Sequence, residues 1–380
     1  LMQNSVRQLR DHGNTVILVE HHKEMIKIAD NIVDMGPGPG ALGGEIMFQG
    51  SYEDLLKSDT NTGKMLQEDS PLKASPRRPS GVFHIDNATL HNLKGISVDI
   101  PLGVFGVVAG VAGSGKSSLM ECFRNEMSKN EEVVYISQKN IGVSLRSTPA
   151  TYMDVAPDIR KIFARKHKMK EEYFTFNGKG ACPVCGGKGV IVSEMAFMDN
   201  IETVCEACGG LRYSPEALKY TIKSDVTGEE LNIAQVMELS VRLASAFFQG
   251  TMIQEKLRPM MDVGLGYLHL NQALSTLSGG ELQRLKLASY LGEKGKVFVI
   301  DEPTDGLHIK DVRHILGVFD KMVDHGNTVW LIEHNIDVIK SADCVIELGP
   351  GAGENGGEIT FCCTPAELAQ CKDSMTAQYM

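Results

Sequence analysis

The octapeptide Gly110-Val-Ala-Gly-Ser-Gly115-Lys116-Ser117 directly follows an unbroken apolar run, Val104 to Ala109, and leads into a helical pattern. A buried strand that delivers a glycine-rich turn to a helix N-terminus leaves few folds open and predicts an α/β protein with a largely parallel sheet. The glycines let backbone N–H groups close around phosphate oxygens, Lys116 reaches the β and γ phosphates of a nucleotide, and Ser117 offers a hydroxyl to Mg²⁺. Gly110, Gly113, Ser114, Gly115, Lys116, Ser117 and Ser118 are therefore candidate nucleotide-binding residues.

Three later segments give that loop its context. Val297 to Ile300 is an apolar run ending in Asp301 and Glu302. Asp301 is placed to hold Mg²⁺ and Glu302 to act as general base on an attacking water. Leu277-Ser-Gly-Gly-Glu281 opens a helical stretch, so Ser278, Gly279 and Gly280 can turn backbone donors and a helix dipole toward an anion held by another ATPase unit. The bland alternative for Ser278 is a simple N-cap. His334 follows a predicted strand end and can polarise a γ-phosphate, although a lone histidine there is more often structural. Gln138, downstream of the loop, is a candidate reporter between Mg²⁺ and the segment that follows.

Between the loop and the LSGGE segment lie Cys182-Pro-Val-Cys185-Gly-Gly and Cys205-Glu-Ala-Cys208-Gly-Gly. Two CxxC pairs, each followed by glycines that permit a tight turn, predict a closed structural Zn²⁺ site with no open coordination position. The chain has nine cysteines, and with four so placed the rest read as scattered thiols, not a disulfide framework.

An internal repeat organises the remainder. Gly13 to Ile46 aligns without gaps on Gly326 to Ile359, with more than half of the paired positions identical, and His21 is the counterpart of His334. Each copy reads as strand, helix, strand, the first strands being Thr15 to Val19 and Thr328 to Ile332. A helical stretch is expected over Tyr52 to Leu66, and Pro71, Pro76 and Pro79 mark a linker. The expected division is 1–68, the closing part of a first unit; 69–81, a linker; and 82–380, a second unit, with helical insertion at about 151–276. Helices are expected at Asp158 to Lys168 and Asn232 to Gln249.

No apolar run is long enough to span a bilayer and the start has no signal-peptide layout, so a cytoplasmic protein without a membrane partner is expected. A net charge of −10 argues against binding nucleic acid by bulk electrostatics but leaves room for a local basic face. Arg160, Lys161, Arg165, Lys166, Lys168 and Lys170, ahead of the aromatic pair Tyr173 and Phe174, are either a solvated helix face or a phosphate-contacting one.

Taken in order, the phosphate loop, Gln138, Arg146-Ser-Thr-Pro-Ala-Thr-Tyr152, CPVCGGKG and CEACGG, LSGGELQRLKLA, IDEPTDGLH and IEHN resemble the UvrA family over essentially the whole chain. The resemblance implies an ABC-type P-loop fold with an inserted helical, zinc-binding signature subdomain. It implies ATP, Mg²⁺ and Zn²⁺ as ligands, and ATP hydrolysis at composite head-to-tail sites, weak in an isolated portion. It further implies a homodimer on double-stranded, damaged DNA in nucleotide excision repair, with UvrB as partner. Arg146 matches a basic residue on the family's DNA-facing side, and Arg160 and Lys161 are further DNA candidates. Val143 stands where the family often has a second basic residue, and the stretch from Tyr152 to Cys182 is shorter than in the main repair proteins. In both respects the chain resembles shorter UvrA-like paralogues, some linked to tolerance of DNA-binding antibiotics. An ABC-type ATPase acting on the ribosome and a transporter nucleotide-binding domain are the alternatives, the latter predicting no zinc.

Overall fold

The computed structural model of the chain describes residues 2–20, 22–38, 43–129, 131–137, 147–193 and 201–380. These form two compact units, one from 1–137 with 293–380 and the other from 138–292.

The first unit is built on a six-stranded sheet in the order Glu358–Cys363, Cys344–Gly349, Phe105–Gly110, Thr328–Ile332, Val297–Asp301, Val133–Ile136. All neighbours are parallel except the first pair. The central strands are buried along nearly their whole length, which is why they read as continuous apolar runs without alternation. Helix Lys116–Met127 lays Leu119, Met120, Phe123 and Met127 into a core that includes Val108, Val299, Trp330 and Ile332. An antiparallel pair, Gly81–Ala88 with Ile96–Leu102, contributes Ile85, Val98 and Ile100 to the same core.

The two repeat copies fold differently. In the second, Thr328–Ile332 lies between Phe105–Gly110 and Val297–Asp301. In the first, residues 14–20 form no strand, and Ile17 and Val19 are 87% and 101% exposed. The expected strand at Thr15 to Val19 is thus absent. A β-branched run becomes a strand only where a neighbour takes its N–H and C=O groups, and no described strand flanks this copy. The copy does keep its closing hairpin, Ile32–Gly36 against Glu45–Gly50, which mirrors Cys344–Gly349 against Glu358–Cys363. The helical stretch expected at Tyr52 to Leu66 is two helices, Tyr52–Lys57 and Asn61–Gln67, because Thr60 caps the second by accepting the Gly63 N–H.

The residues after this copy are strapped to the sheet by charge. Lys73 Nζ reaches Asp320 at 2.9 Å and Asp343 at 2.8 Å, while Arg77 contacts Asp320, Asp324 and Asp343. The Asp343 side chain is fully buried and also accepts the N–H groups of Arg77 and Phe105. Burial pushes its carboxyl pKa up, but Lys73 and the two N–H donors outweigh that and hold it below the usual range. A depressed pKa contributes stability above the unfolded carboxylate value near 3.9, lost as pH falls through the lower folded value. Asp343→Ala leaves Lys73 and Arg77 their contacts to Asp320 and Asp324 but strips the buried Phe105 N–H of its acceptor, and is expected to cost about 1–3 kcal/mol in denaturant unfolding. Asp343→Asn should flatten the acid limb of the stability profile; a limb as steep as in the parent counts against this assignment.

The second unit is mainly helical, as expected, with helices Ala156–His167, Ile233–Glu238, Val241–Phe247, Met252–Asp262 and Gly279–Tyr290 and two small hairpins. The helix expected across Asn232 to Gln249 is broken at Leu239, where Ser240 begins a new cap by accepting the Leu243 N–H. Among the described residues no helix is long and apolar enough to cross a membrane.

Candidate functional site

The glycine-rich turn sits at the carboxyl end of Phe105–Gly110 and runs into helix Lys116–Met127. Gly110 has φ +134°, and a Cβ there would lie 2.2 Å from the Leu348 carbonyl oxygen, so no other residue fits. Lys116 is 8% exposed and folds over the loop, donating to the carbonyls of Gly110 at 2.9 Å and Val111 at 3.1 Å. Burial lowers the Lys116 pKa, partly offset by the charges of Glu302, Asp301 and Glu333. The Ser114 hydroxyl is buried within the loop without a hydrogen-bond partner. An orphaned hydroxyl inside a nest of N–H groups suits a phosphate-bearing ligand.

The second repeat copy braces this loop. Gly353 and Gly357 donate N–H groups to the carbonyls of Gly113 and Ser114 at 3.0 and 2.9 Å, and the Asn92 amide donates to Gly113 and Gly353. The glycine-rich tail of the repeat, Gly353 to Gly357, therefore supports the turn. Its repetition was visible in the sequence, but that its tail meets the loop was not.

Asp301 ends its strand one position from the neighbouring strand that carries Tyr135, whose hydroxyl donates to the Asp301 carboxylate at 3.4 Å. Burial first, and then Asp301, push the Tyr135 hydroxyl up to about 12. Glu302 has φ +47°, a conformation non-glycine residues seldom adopt, held by its N–H donating to the Ile332 carbonyl at 2.9 Å. Its carboxylate stands 3.7 Å from His334 Nδ1, and both side chains are about half exposed, at 44% and 49%. The structure thus brings Lys116, Asp301, Glu302 and His334 to the carboxyl ends of the central strands. Ser117 and Ser118 lie in the first turn of the helix that follows the loop. His22 stacks on His334 with ring centroids 6.1 Å apart, and its Nδ1 lies 3.1 Å from a Glu20 oxygen. His21, Gln138, Val143 and Arg146 lie outside the described residues.

In the second unit, Ser278 caps helix Gly279–Tyr290 in a reciprocal box with Glu281, which also accepts a hydrogen bond from Tyr267. Burial raises the Glu281 pKa, but Tyr267 and Ser278 more than compensate and it lies below its ordinary value. The Ser278 hydroxyl is therefore already engaged as an N-cap, while Gly279 and Gly280 occupy the first helical turn.

Cys182, Cys185, Cys205 and Cys208 are all buried, and their four Sγ atoms lie within 4.8 Å of one another. Cys185 Sγ and Cys208 Sγ are 3.8 Å apart, the edge of a tetrahedron built on Zn–S bonds of about 2.3 Å. Gly187, at φ +77°, could not carry a side chain because a Cβ would meet the Phe176 carbonyl at 1.7 Å. Burial raises the Cys185 thiol, but the Gly189 N–H, then the Cys182 and Cys208 thiols and the Gly187 N–H, more than offset it, whereas burial and the thiols of Cys185 and Cys205 hold its neighbour Cys208 above the ordinary value. Arg212, whose carbonyl accepts the Cys182 N–H, stacks on Phe176 and leaves its buried Nη1 without a partner. A half-buried guanidinium with one nitrogen unpartnered, close enough to feel the charge of Cys185, fits a four-cysteine site whose metal-bound form carries excess negative charge. Nothing in the spacing of the sequence pointed to Arg212.

The basic run is for the most part the solvated face expected of it: Lys161, Arg165, Lys166, Lys168 and Lys170 are exposed, and Arg160 and the neighbouring aromatic Phe174 depart from that pattern. Phe174 is fully buried against Phe163, with centroids 5.3 Å apart, so it is core and not a stacking platform. Arg160 is half-buried and lines a small cavity with Phe174, Phe176 and Tyr213. Lys161, by contrast, is exposed and pairs with Asp158.

Residues 93–305 match the family model described as ABC transporter, a stretch that contains the phosphate loop, the cysteine cluster, the LSGGE segment and Asp301. The chain is 42% identical to UvrABC system protein A of Aquifex aeolicus over 99% of its own length and 44% of that protein. It therefore spans less than half of that curated relative. The crystal structure of UvrA2 from Deinococcus radiodurans superposes with a TM-score of 0.90 at 37% identity, covering 100% of this chain and 49% of that one. A model of ribosome-bound archaeal Pelota and ABCE1 matches at TM-score 0.53 and 15% identity, over 96% of this chain and 50% of that one, which reflects a shared fold alone. The ABC-type loop and carboxylate pair, the four-cysteine insertion and this likeness together place the chain in the UvrA family of ABC ATPases.

Proposed function

We propose that this chain is the ATP-hydrolysing portion of a UvrA-type damage-recognition protein, in which nucleotide state alters the grip of the zinc-bearing insertion on double-stranded DNA. The observation that carries this reading is a site at the strand ends with Glu302 and His334 paired, in the same chain as a buried four-cysteine cluster. A transporter nucleotide-binding domain has no use for the second feature. On this reading residues 1–68 close a first ABC unit, 69–81 link the two, and 82–380 form the second unit with its insertion at about 151–276.

In the proposed reaction the loop N–H groups and Lys116 hold the β and γ phosphates, and Ser114 turns its free hydroxyl to a phosphate oxygen. Ser117 and Asp301 are the residues that would hold Mg²⁺, which neutralises charge on the phosphates. Glu302 takes the proton of the attacking water, and His334 contacts the γ-phosphate. Gln138 and His21 are assigned the reporter role and the first-unit counterpart of His334. Ser278, Gly279 and Gly280 face the γ-phosphate of a different unit, so turnover needs both. Four cysteines leave no open position on zinc, so the metal organises a surface and takes no part in the chemistry. Lys161 remains the better-exposed DNA candidate over Arg160, with Arg146 a third; a homodimer, UvrB and a cytoplasmic location complete the proposal.

Fluorescence anisotropy of the full-length protein with matched duplexes, with and without a bulky adduct and ATP, tests the reading at fixed salt. The expected result is tighter, nucleotide-dependent binding to the adduct. Salt-sensitive binding without lesion preference would instead indicate a UvrA-like paralogue, and absence of DNA binding would sink the proposal in favour of a ribosome-acting ATPase.

A further inference from the structure

Glu333 is 1% exposed, yet its carboxylate is among the most heavily used polar groups in the unit. One oxygen accepts from the Thr304 N–H at 3.1 Å and from the Thr304 hydroxyl at 2.6 Å. The other accepts from the N–H groups of His334 at 3.0 Å and Asn335 at 3.3 Å. Four donors on two oxygens match the lone-pair capacity of an ionised carboxylate, whose charge also acts on Lys116 of the phosphate loop.

Those donors belong to two different strand ends. Thr304 lies two residues past Glu302, in the turn closed by Asp305 N–H to Glu302 carbonyl and Leu307 N–H to Thr304 carbonyl. His334 and Asn335 follow Thr328–Ile332, and the Glu333 N–H donates to the Val108 carbonyl at 3.1 Å, tying the assembly to the strand that feeds the phosphate loop. The half-exposed Glu302 and His334 side chains therefore stand 3.7 Å apart on loops clamped by one buried group.

We propose that Glu333 is a positioning residue that holds the Glu302 turn and the His334 loop in fixed register, so that displacement of either is transmitted to the other. The proposal rests on the ATPase reading above. It also accounts for the glutamate of the repeated Glu-His pair, for which the general-base scheme has no other use.

Glu333→Gln keeps the shape but replaces one acceptor oxygen with an NH₂ group, which must then face either the Thr304 donors or the His334 and Asn335 N–H groups. Steady-state ATP hydrolysis by the full-length protein should show kcat down at least ~10-fold with KM for ATP within about twofold, as expected for misplacement without lost substrate contact. Thr304→Val should lower kcat in the same direction, Thr304→Ser should restore it, and the double variant Glu333→Gln/Thr304→Val should lose less than the product of the single losses. Parent kcat in Glu333→Gln overturns the proposal, as does an equal drop in Thr304→Ser and Thr304→Val. Should Glu333→Gln fail to fold, the two threonine variants decide on the same terms. Glu302→Gln runs alongside: if it leaves turnover intact, the ATPase assignment fails first; if it abolishes turnover while Glu333→Gln does not, only the positioning role is lost.

Discussion

Glu302→Gln lowers ATP turnover by about 10²–10⁴-fold while ATP still binds with near-parent affinity. The side chain is half exposed, its ionic partner among the described residues is His334, and the phosphate loop is braced independently by Gly353, Gly357 and Asn92. On the proposed reading, what the amide removes is the acceptor for the water proton. The backbone that presents it, with φ +47° and an N–H bonded to the Ile332 carbonyl, is unaffected. Steady-state hydrolysis with a fluorescent-nucleotide titration separates the two quantities. Loss of nucleotide binding together with turnover would mean that Glu302 supports the loop, and parent turnover would mean that the general base lies elsewhere.

The second large effect concerns the cysteine cluster. Cys185→Ser is expected to reduce zinc from about one equivalent per chain to below a tenth, and to melt the local fold around the knuckles. Here the physical argument is that burial works against the site unless metal is bound: four thiols within 4.8 Å of each other carry no hydrophobic core of their own, and Arg212 leaves a buried nitrogen unpaired. The bound metal thus contributes folding free energy to this segment. Metal analysis with limited proteolysis of the insertion reads both consequences. Full zinc content in the variant would show that other ligands hold the ion; zinc loss without new cleavage would show that the knuckles fold without it.

Both sites could be read from residue order for the same reason. The phosphate loop, the Val297 to Glu302 strand end and the paired CxxC segments are local: each places its functional atoms within a few residues, so spacing alone carries the geometry. The parallel sheet followed from the same source, because strands buried on both faces must be continuous apolar runs. The apparent failures have one cause in common. Thr15 to Val19 has the composition of Thr328 to Ile332 but no described neighbouring strand, and a ladder is not a property of a single segment. Phe174, adjacent to a basic run, is core because Phe163 and Tyr220 close over it. Asp343 binds Lys73 and Arg77 across more than 260 positions, and no pattern couples residues so far apart.

Glu333 shows the boundary between the two kinds of information most clearly. Residue order marks it, since Glu-His recurs at Glu20-His21, but marks it only as part of the histidine motif. Its partners are Thr304 from one strand end and His334 and Asn335 from another. Short-range spacing decides which chemical groups are present and how the chain turns beside them, because a few dihedrals separate them. Which groups share a buried carboxylate depends on how strands stack in the sheet, and in this chain that order, Phe105–Gly110 beside Thr328–Ile332 beside Val297–Asp301, brings together segments as far apart in the chain as Phe105 and Val329.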